Sequence, residues 1–402
     1  MSEEFDVKNM DIKWLVETAR NKIDTSDLNN YVNGVLSELD HIGEILPQLD
    51  MAIEKDKLSK NLYQLTQSLV HNSQTFLLAE KLDELRSKLK PLSDYLCDDN
   101  DKNSFNIYLE FIDGIINNDK LLKDNNHDDE WKESFYRRES VILKEISDYF
   151  TMEDSIISIM ADNCHGLAEM NMGNKDAALA QFNKCISELE EMFCHEDLYN
   201  KIQHRNTLTE DEYHALGLAG SVEFNAAMLE QDGEEKINRL DNAISWRNHT
   251  LDLCPSYLNN TKAIYELINA YATLAEYMLE NCPEKDMKHL LDTYREMHKL
   301  KQDILTISPE LNEKIAFVYS ATELYDNIIE PMEKNVYNKI LELEEKSTDK
   351  GKVNIEELKS YTDEMGMKES TTVDALLFNL KRKGKIYEPD EGNIRMVIPG
   401  SH

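Results

Sequence analysis

A mainly α-helical protein that ends in one small β-containing module is what the 402-residue sequence predicts, and three observations carry that expectation. Gly (13) and Pro (8) are scarce for this length; both punctuate turns and strands, so their scarcity favours long helices with few connections. Leu, Glu, Lys, Ala and Met dominate most windows, and these side chains lose little freedom in a helix. Apolar residues recur at steps of three and four along most of the chain, until Lys385-Ile386-Tyr387-Glu388-Pro389-Asp390-Glu391-Gly392-Asn393-Ile394-Arg395-Met396-Val397, which reads as two short strands around a turn.

Taken in order, Ile12, Leu15, Val16, Ala19 and Ile23 share one helical face, and a second helix runs from about Leu28 to Leu46, where Pro47 stops it. Leu58, Leu62, Leu65 and Leu69, then Leu78, Leu82, Leu85, Leu89, Leu92 and Leu96, follow a heptad rhythm. Pro91 and a phase slip near Phe76 favour helices packed within one bundle over a dimeric coiled coil. Residues 97–104 and 123–130 read as acidic loops. In the first, Asp99, Asp101, Asn103 and Glu110 fall at calcium-loop spacing, but Ser104 stands where the sharp turn needs Gly; an acidic cap on the next helix is the better reading. Another helix spans Trp131 to about Phe150.

From residue 151 the pattern becomes repetitive. Gly166, Gly173, Ala178 and Phe182 stand at relative offsets 0, 7, 12 and 16 around the turn Asn171-Met172-Gly173-Asn174. The spacing resembles a tetratricopeptide repeat (TPR), in which small residues let two antiparallel helices approach and an aromatic ring packs between them. Asp162 and Glu190 depart from that pattern, so the repeat is degenerate. Further hairpins are expected over Tyr213–Leu229 with Lys236–Leu253, and over Lys262–Leu279 with Met287–Ile307, closed by Cys254-Pro255 and Ser308-Pro309. A last helix, Leu311–Ile329, caps the stack, and Glu330-Pro331 reads as a linker. Stacked hairpins leave a concave groove suited to peptides or partner helices.

The net charge of −34 is uneven. Residues 1–330 hold 32 Lys+Arg against 64 Asp+Glu, whereas Pro331–His402 hold 12 against 14. The acidic body repels phosphates and membrane surfaces and suits cationic partners, so only the C-terminal module is electrostatically compatible with DNA. Cys97, Cys164, Cys185, Cys194, Cys254 and Cys282 form no CxxC pair and read as buried thiols in a reducing compartment. There is no signal-peptide pattern at the N-terminus and no run of 18 apolar residues, which points to a soluble, cytoplasmic chain.

Chemistry is sparse. No GxGxxG or GxxxxGK[ST] element follows a strand, and neither GxSxG nor HExxH occurs, so no catalytic or cofactor-binding residues are assigned. Cys164, His165, Cys185, Cys194 and His195 match no usual zinc spacing and read as structural. Trp131 and Trp246 read as packing residues.

The last fifth of the chain holds the most specific pattern. A helix from Met332 to about Lys346 turns Val336, Ile340, Leu341 and Leu343 inward; Asn354, with Glu357 three residues on, caps a second helix, Ile355–Met365. A third starts near Ser370 and buries Val373, Leu376, Leu377 and Leu380. Three helices and a hairpin make a winged helix, the helix-turn-helix with a β-wing. In that arrangement Thr371 and Thr372 face base edges, while Lys368, Lys381, Arg382, Lys383, Lys385 and Arg395 meet phosphates. Leu376–Val397, centred on Leu380-Lys381-Arg382-Lys383-Gly384-Lys385-Ile386-Tyr387-Glu388-Pro389 and Gly392-Asn393-Ile394-Arg395, resembles the C-terminal winged helix of archaeal minichromosome-maintenance helicases. The resemblance implies weak DNA contact, regulation or partner docking; the helicases' ATPase core is absent, so no helicase activity is implied. The wing, Glu388-Pro389-Asp390-Glu391, is acidic, which argues against its lying on phosphates.

The sequence therefore predicts a helical bundle (1–150), a TPR-like helical-repeat domain (151–330) and a winged helix (331–398). The function expected is a non-enzymatic scaffold, adaptor or regulator that binds protein partners through the helical groove and docks through the winged helix. Architecturally this is similar to PCI-type scaffold subunits. The alternative is a DNA-binding transcription, replication or repair accessory factor, and third comes an enzyme with an unrecognised site.

Overall fold

A computed structural model describes residues 23–48, 51–123, 129–151, 154–195, 198–204, 208–255, 258–281, 285–347 and 352–397. The expected first helix over residues 11–23 lies almost wholly outside them. Among the described residues the chain is mainly helical, with sixteen α-helices and a three-stranded sheet near the C-terminus. No helix among them is long and apolar enough to cross a membrane. The chain divides into two compact units: residues 1–266 with 306–309, and residues 267–305 with 310–402.

The first unit opens with α1 (Leu28–Ile45), α2 (Met51–His71), α3 (Ser73–Leu78), α4 (Leu82–Leu89) and α5 (Asp99–Lys123). Helix α5 begins inside the stretch expected to be a loop at residues 97–104. The Asp98 carboxylate accepts from the Asn100 amide at 2.7 Å, and Asp99 and Asp101 occupy the positive N-terminal turn, so the acidic residues start a helix instead of forming a calcium loop. Leu62, Leu69, Leu82, Leu85, Leu89, Leu92 and Leu96 of the leucine series are buried in the bundle with Phe76, Phe105, Tyr108 and Phe111.

Next come α6 (Asp129–Phe150), α7 (Ser155–Asn171), α8 (Lys175–His195), α9 (Leu198–Gln203), α10 (Glu210–Leu229) and α11 (Gly233–Asp252). Each long helix packs on the next: α6 on α7, α7 on α8, α8 on α10, and α10 on α11. Two glycines set the separation. A Cβ on Gly166 would sit 2.5 Å from the Phe182 ring, and one on Gly220 would sit 2.7 Å from Arg247 Cγ, so a side chain at either position would force its neighbour to shift.

The helix starts follow from short polar side chains. Asp27, Asp154 and Asp232 each accept an N-terminal amide of the helix that follows. Thr209 and Glu212 form a reciprocal capping box that starts α10. Thr209→Ala is expected to lower the stability of this unit by about 1 kcal/mol, read from the urea midpoint at unchanged slope.

Helix α12 (Thr261–Asn281) passes from the first unit into the second at Glu266, and α13 (Met287–Ile307) follows. The second unit then contains α14 (Val318–Lys346), β1 (Val353–Asn354), α15 (Ile355–Lys359), α16 (Ser370–Arg382), β2 (Ile386–Asp390) and β3 (Asn393–Met396). The expected linker at Pro331 is not there: α14 runs straight through it. A proline removes only its own amide bond and crowds one carbonyl; here Ile329, Glu333, Val336 and Ile340, all buried on one face, hold both halves of the helix to the same core. Leu341, expected inward, is 39 % exposed.

Val353–Asn354, expected to lead into a helix that Asn354 caps and not to be extended in a sheet, forms a third strand, and the sheet order is β1-β3-β2. All pairing is antiparallel, with Val353 opposite Ile394 and Tyr387 opposite Arg395. Pro389 sits in β2, an edge strand, where a missing amide breaks no ladder, and the register shifts between Tyr387 and Asp390. Gly392, at φ +77°, makes the turn into β3. Asn354 caps α15 by accepting from the amides of Glu356 and Glu357 (2.9 and 3.1 Å), and regular helix stops at Lys359, short of the expected Met365.

Candidate functional site

In the C-terminal unit, Val373, Leu376, Leu377 and Leu380 bury one side of α16. The opposite side exposes Thr371, Asp374, Phe378 and Arg382 in helical steps of three and four. Thr372 belongs to the buried side: it is 0 % exposed and its hydroxyl has no hydrogen-bond partner, so the expectation that it faces a ligand is corrected. It follows Thr371 by about 100° around the helix, which turns it into the core.

The cations expected to meet phosphates behave unequally. Lys381 pairs with Glu388, and Lys383 Nζ lies 2.6 Å from Glu333 Oε2 and 5.6 Å from the Tyr325 ring centre. Arg382 sits 5.9 Å from the centre of the Phe378 ring. Lys385 and Arg395 make no ion pair among the described residues, and Lys368 is exposed on the turn before α16. Thr371 donates to Glu369 at 3.1 Å, and Asp374 is 2.9 Å from Lys359. The face expected to read bases therefore presents an acid and a phenyl ring, the latter 52 % exposed.

Behind that face lies a polar group buried between α14 and α16. Glu333 accepts from Asn379 and Lys383, Asn379 Nδ2 also donates to the Tyr325 hydroxyl at 3.1 Å, and Tyr325 stacks on Tyr294 with ring centres 3.8 Å apart. Burial, followed by the Glu333 charge, pushes the Tyr325 phenol far above its ordinary range.

The first unit holds two more sites. His71 is buried, with Nε2 3.1 Å from Asp154 and Nδ1 3.6 Å from Asp211. Burial opposes its charge, but the two carboxylates prevail and raise its pKa to about 9. Asp154 also accepts from Tyr108 and Gln67, each at 2.9 Å, and from the Ile157 amide at 3.2 Å. Its own pKa is lowered: burial opposes the charge, and the His71 bond outweighs it together with the other donors. His214, at a ring-centre distance of 5.5 Å from His71, is pushed the other way by burial and stays neutral more readily.

The other is a pocket of about 170 Å³ among α3, α5, α6 and α7, with Glu139, Gly114 and Cys164 on its wall. Burial pushes the Cys164 thiol up to about 12, which leaves it protonated and unreactive at neutral pH.

Cys185 is buried, Cys97, Cys164 and Cys254 are half-buried, and Cys194 is exposed, which corrects its expected burial; Cys282 lies outside the described residues. Trp131, expected to be packed, is 45 % exposed and stacks on Phe135 through one face. No cluster of three or more His, Cys, Asp or Glu side chains among the described residues is arranged to hold a metal ion.

Neither Glu139 nor Glu333 stood out in the sequence, although both carry a readable signal. Each is an acid placed on an apolar helical stripe, between Phe135 and Leu143 and between Ile329 and Val336 respectively. Asp154, just ahead of the apolar run that opens α7, carries the usual mark of an N-cap. No family model, curated protein or solved structure matches the chain.

Proposed function

We propose that the protein is a non-enzymatic scaffold or adaptor that docks protein partners at both a TPR-like helical body and a C-terminal winged helix. The order helix, strand, helix, helix, strand, strand, with the sheet order β1-β3-β2, supports the winged helix. The close seating of Phe182 on Gly166 supports the repeat.

One observation carries docking over DNA binding. Lys381 and Lys383, the centre of the basic cluster, are neutralised by Glu388 and Glu333, while the exposed side of α16 offers Phe378 and Asp374. An exposed aromatic ring beside a cation is the chemistry of a protein contact and not of a phosphate track. The acidic body, with 64 Asp+Glu to 32 Lys+Arg over residues 1–330, selects for a basic partner segment.

A DNA-binding reading is favoured only by Arg382, Lys385 and Arg395, which carry no ion pair among the described residues. Titrating the full chain into labelled duplex DNA over a salt series separates the two. The scaffold reading expects no affinity that falls linearly with log salt. Salt-dependent binding whose slope drops by about one for each of Arg382→Ala, Lys385→Ala and Arg395→Ala would establish DNA binding instead.

A further inference from the structure

The pocket among α3, α5, α6 and α7 plays no part in the scaffold reading, and its chemistry is specific. Glu139 is 7 % exposed and its carboxylate makes no hydrogen bond or ion pair among the described residues. A buried carboxylate without a partner is costly, and it is relieved by a proton or by a cation. The carboxylate fits because position 114 is glycine: a Cβ there would lie 3.2 Å from Glu139 Oε2. Asp119, a second acid in the lining, is already paired with Lys123 at 2.8 Å, which leaves Glu139 as the carboxylate open to a ligand; no Lys or Arg lines the pocket itself, and Leu77, Ile115, Leu143 and Leu167 supply apolar walls.

We propose that this pocket binds a small organic ammonium, its nitrogen donating to the Glu139 carboxylate and its apolar stem lying against Ile115, Leu143 and Leu167. A metal ion is a poor fit, since a hard cation takes six or more oxygens and these walls are mostly apolar. The volume, about 170 Å³, suits a stem of ring size, because an apolar cavity of about 150 Å³ holds benzene. Burial also raises the Glu139 pKa, against the pull of Arg138, so an arriving ammonium displaces a proton from any neutral fraction.

The test uses the full chain and benzylammonium chloride, followed by titration calorimetry at pH 7. Saturable binding with a dissociation constant on the order of 1 mM or tighter is expected. Toluene, which matches the stem and lacks the charge, should bind at least about tenfold more weakly, and Glu139→Gln should lose at least about tenfold for benzylammonium. Gly114→Ala, which crowds the carboxylate, should weaken binding in the same direction. Should Glu139→Gln fail to fold, the wild-type chain supplies a second measurement: affinity for benzylammonium must fall as pH drops from 7 towards 4, because a proton competes for the same oxygen. The proposal is overturned by absence of saturable binding, by toluene binding as well as benzylammonium, or by an affinity indifferent to pH and to Glu139→Gln.

Discussion

Asp154→Ala is expected to cost about 3–5 kcal/mol of unfolding free energy, as much as removing a large buried side chain. The change strips a buried charged imidazole of its main partner, leaves the Gln67 amide and the start of α7 without this acceptor, and leaves the Tyr108 hydroxyl with Tyr63 alone, at 3.2 Å. Each donor left unpaired then carries its own desolvation penalty.

The same pair dictates a pH profile. His71 holds its proton more tightly in the folded chain, with a pKa of about 9, than in the unfolded chain, near 6.5. Below about pH 6.5 both states are protonated and the full stabilisation is present. Between there and about 9 only the folded state keeps the proton, so stability falls as pH rises, by about 3 kcal/mol in total.

His214 acts in the opposite sense: burial lowers its pKa, so protonation of the unfolded chain erodes stability as pH falls below about 6.5. Asp154, held low, loses its contribution only when pH drops beneath the ordinary carboxylate range. Urea midpoints across pH 5–9 should therefore peak near 6.5. In His71→Asn the alkaline decline should disappear; its persistence would show that another group is responsible.

Phe182→Ala should cost about 3–5 kcal/mol, because the ring is fully buried and its removal leaves a cavity opposite Gly166. Gly166→Ala should cost about 1–3 kcal/mol for the reverse reason, since its new methyl meets the ring at 2.5 Å and something must move. The two changes are coupled. Combined with Phe182→Leu, which frees space on the facing helix, Gly166→Ala should cost less than it does alone. Strict additivity in that double-mutant cycle would mean the two residues do not set the separation of α7 and α8.

What could be read along the chain was local. Helical periodicity located most helices within a few residues, and Met287–Ile307 coincides with its expected span. The seating of Phe182 on Gly166 was legible because both partners lie in one hairpin, sixteen positions apart. The Thr209–Glu212 capping box was equally local and passed unread in a polar stretch. The exposed N-terminal face of α16 was half right: Thr371 is outward, whereas its neighbour Thr372 had to turn inward.

By itself, the sequence determined the helical class, the acidic character of the body, and the placement of a β-hairpin after α16, because these depend on composition and on contacts a few residues apart. Tertiary structure alone decided which charges are free. Lys383 finds Glu333 fifty positions away, His71 finds Asp154 across eighty-three, and Glu139 finds a partnerless pocket wall built from four helices. It also carried α14 through Pro331, since a continuous buried face outweighs one missing hydrogen bond. An electrostatic partner is chosen by distance in space, and helix periodicity reports only which face a residue is on.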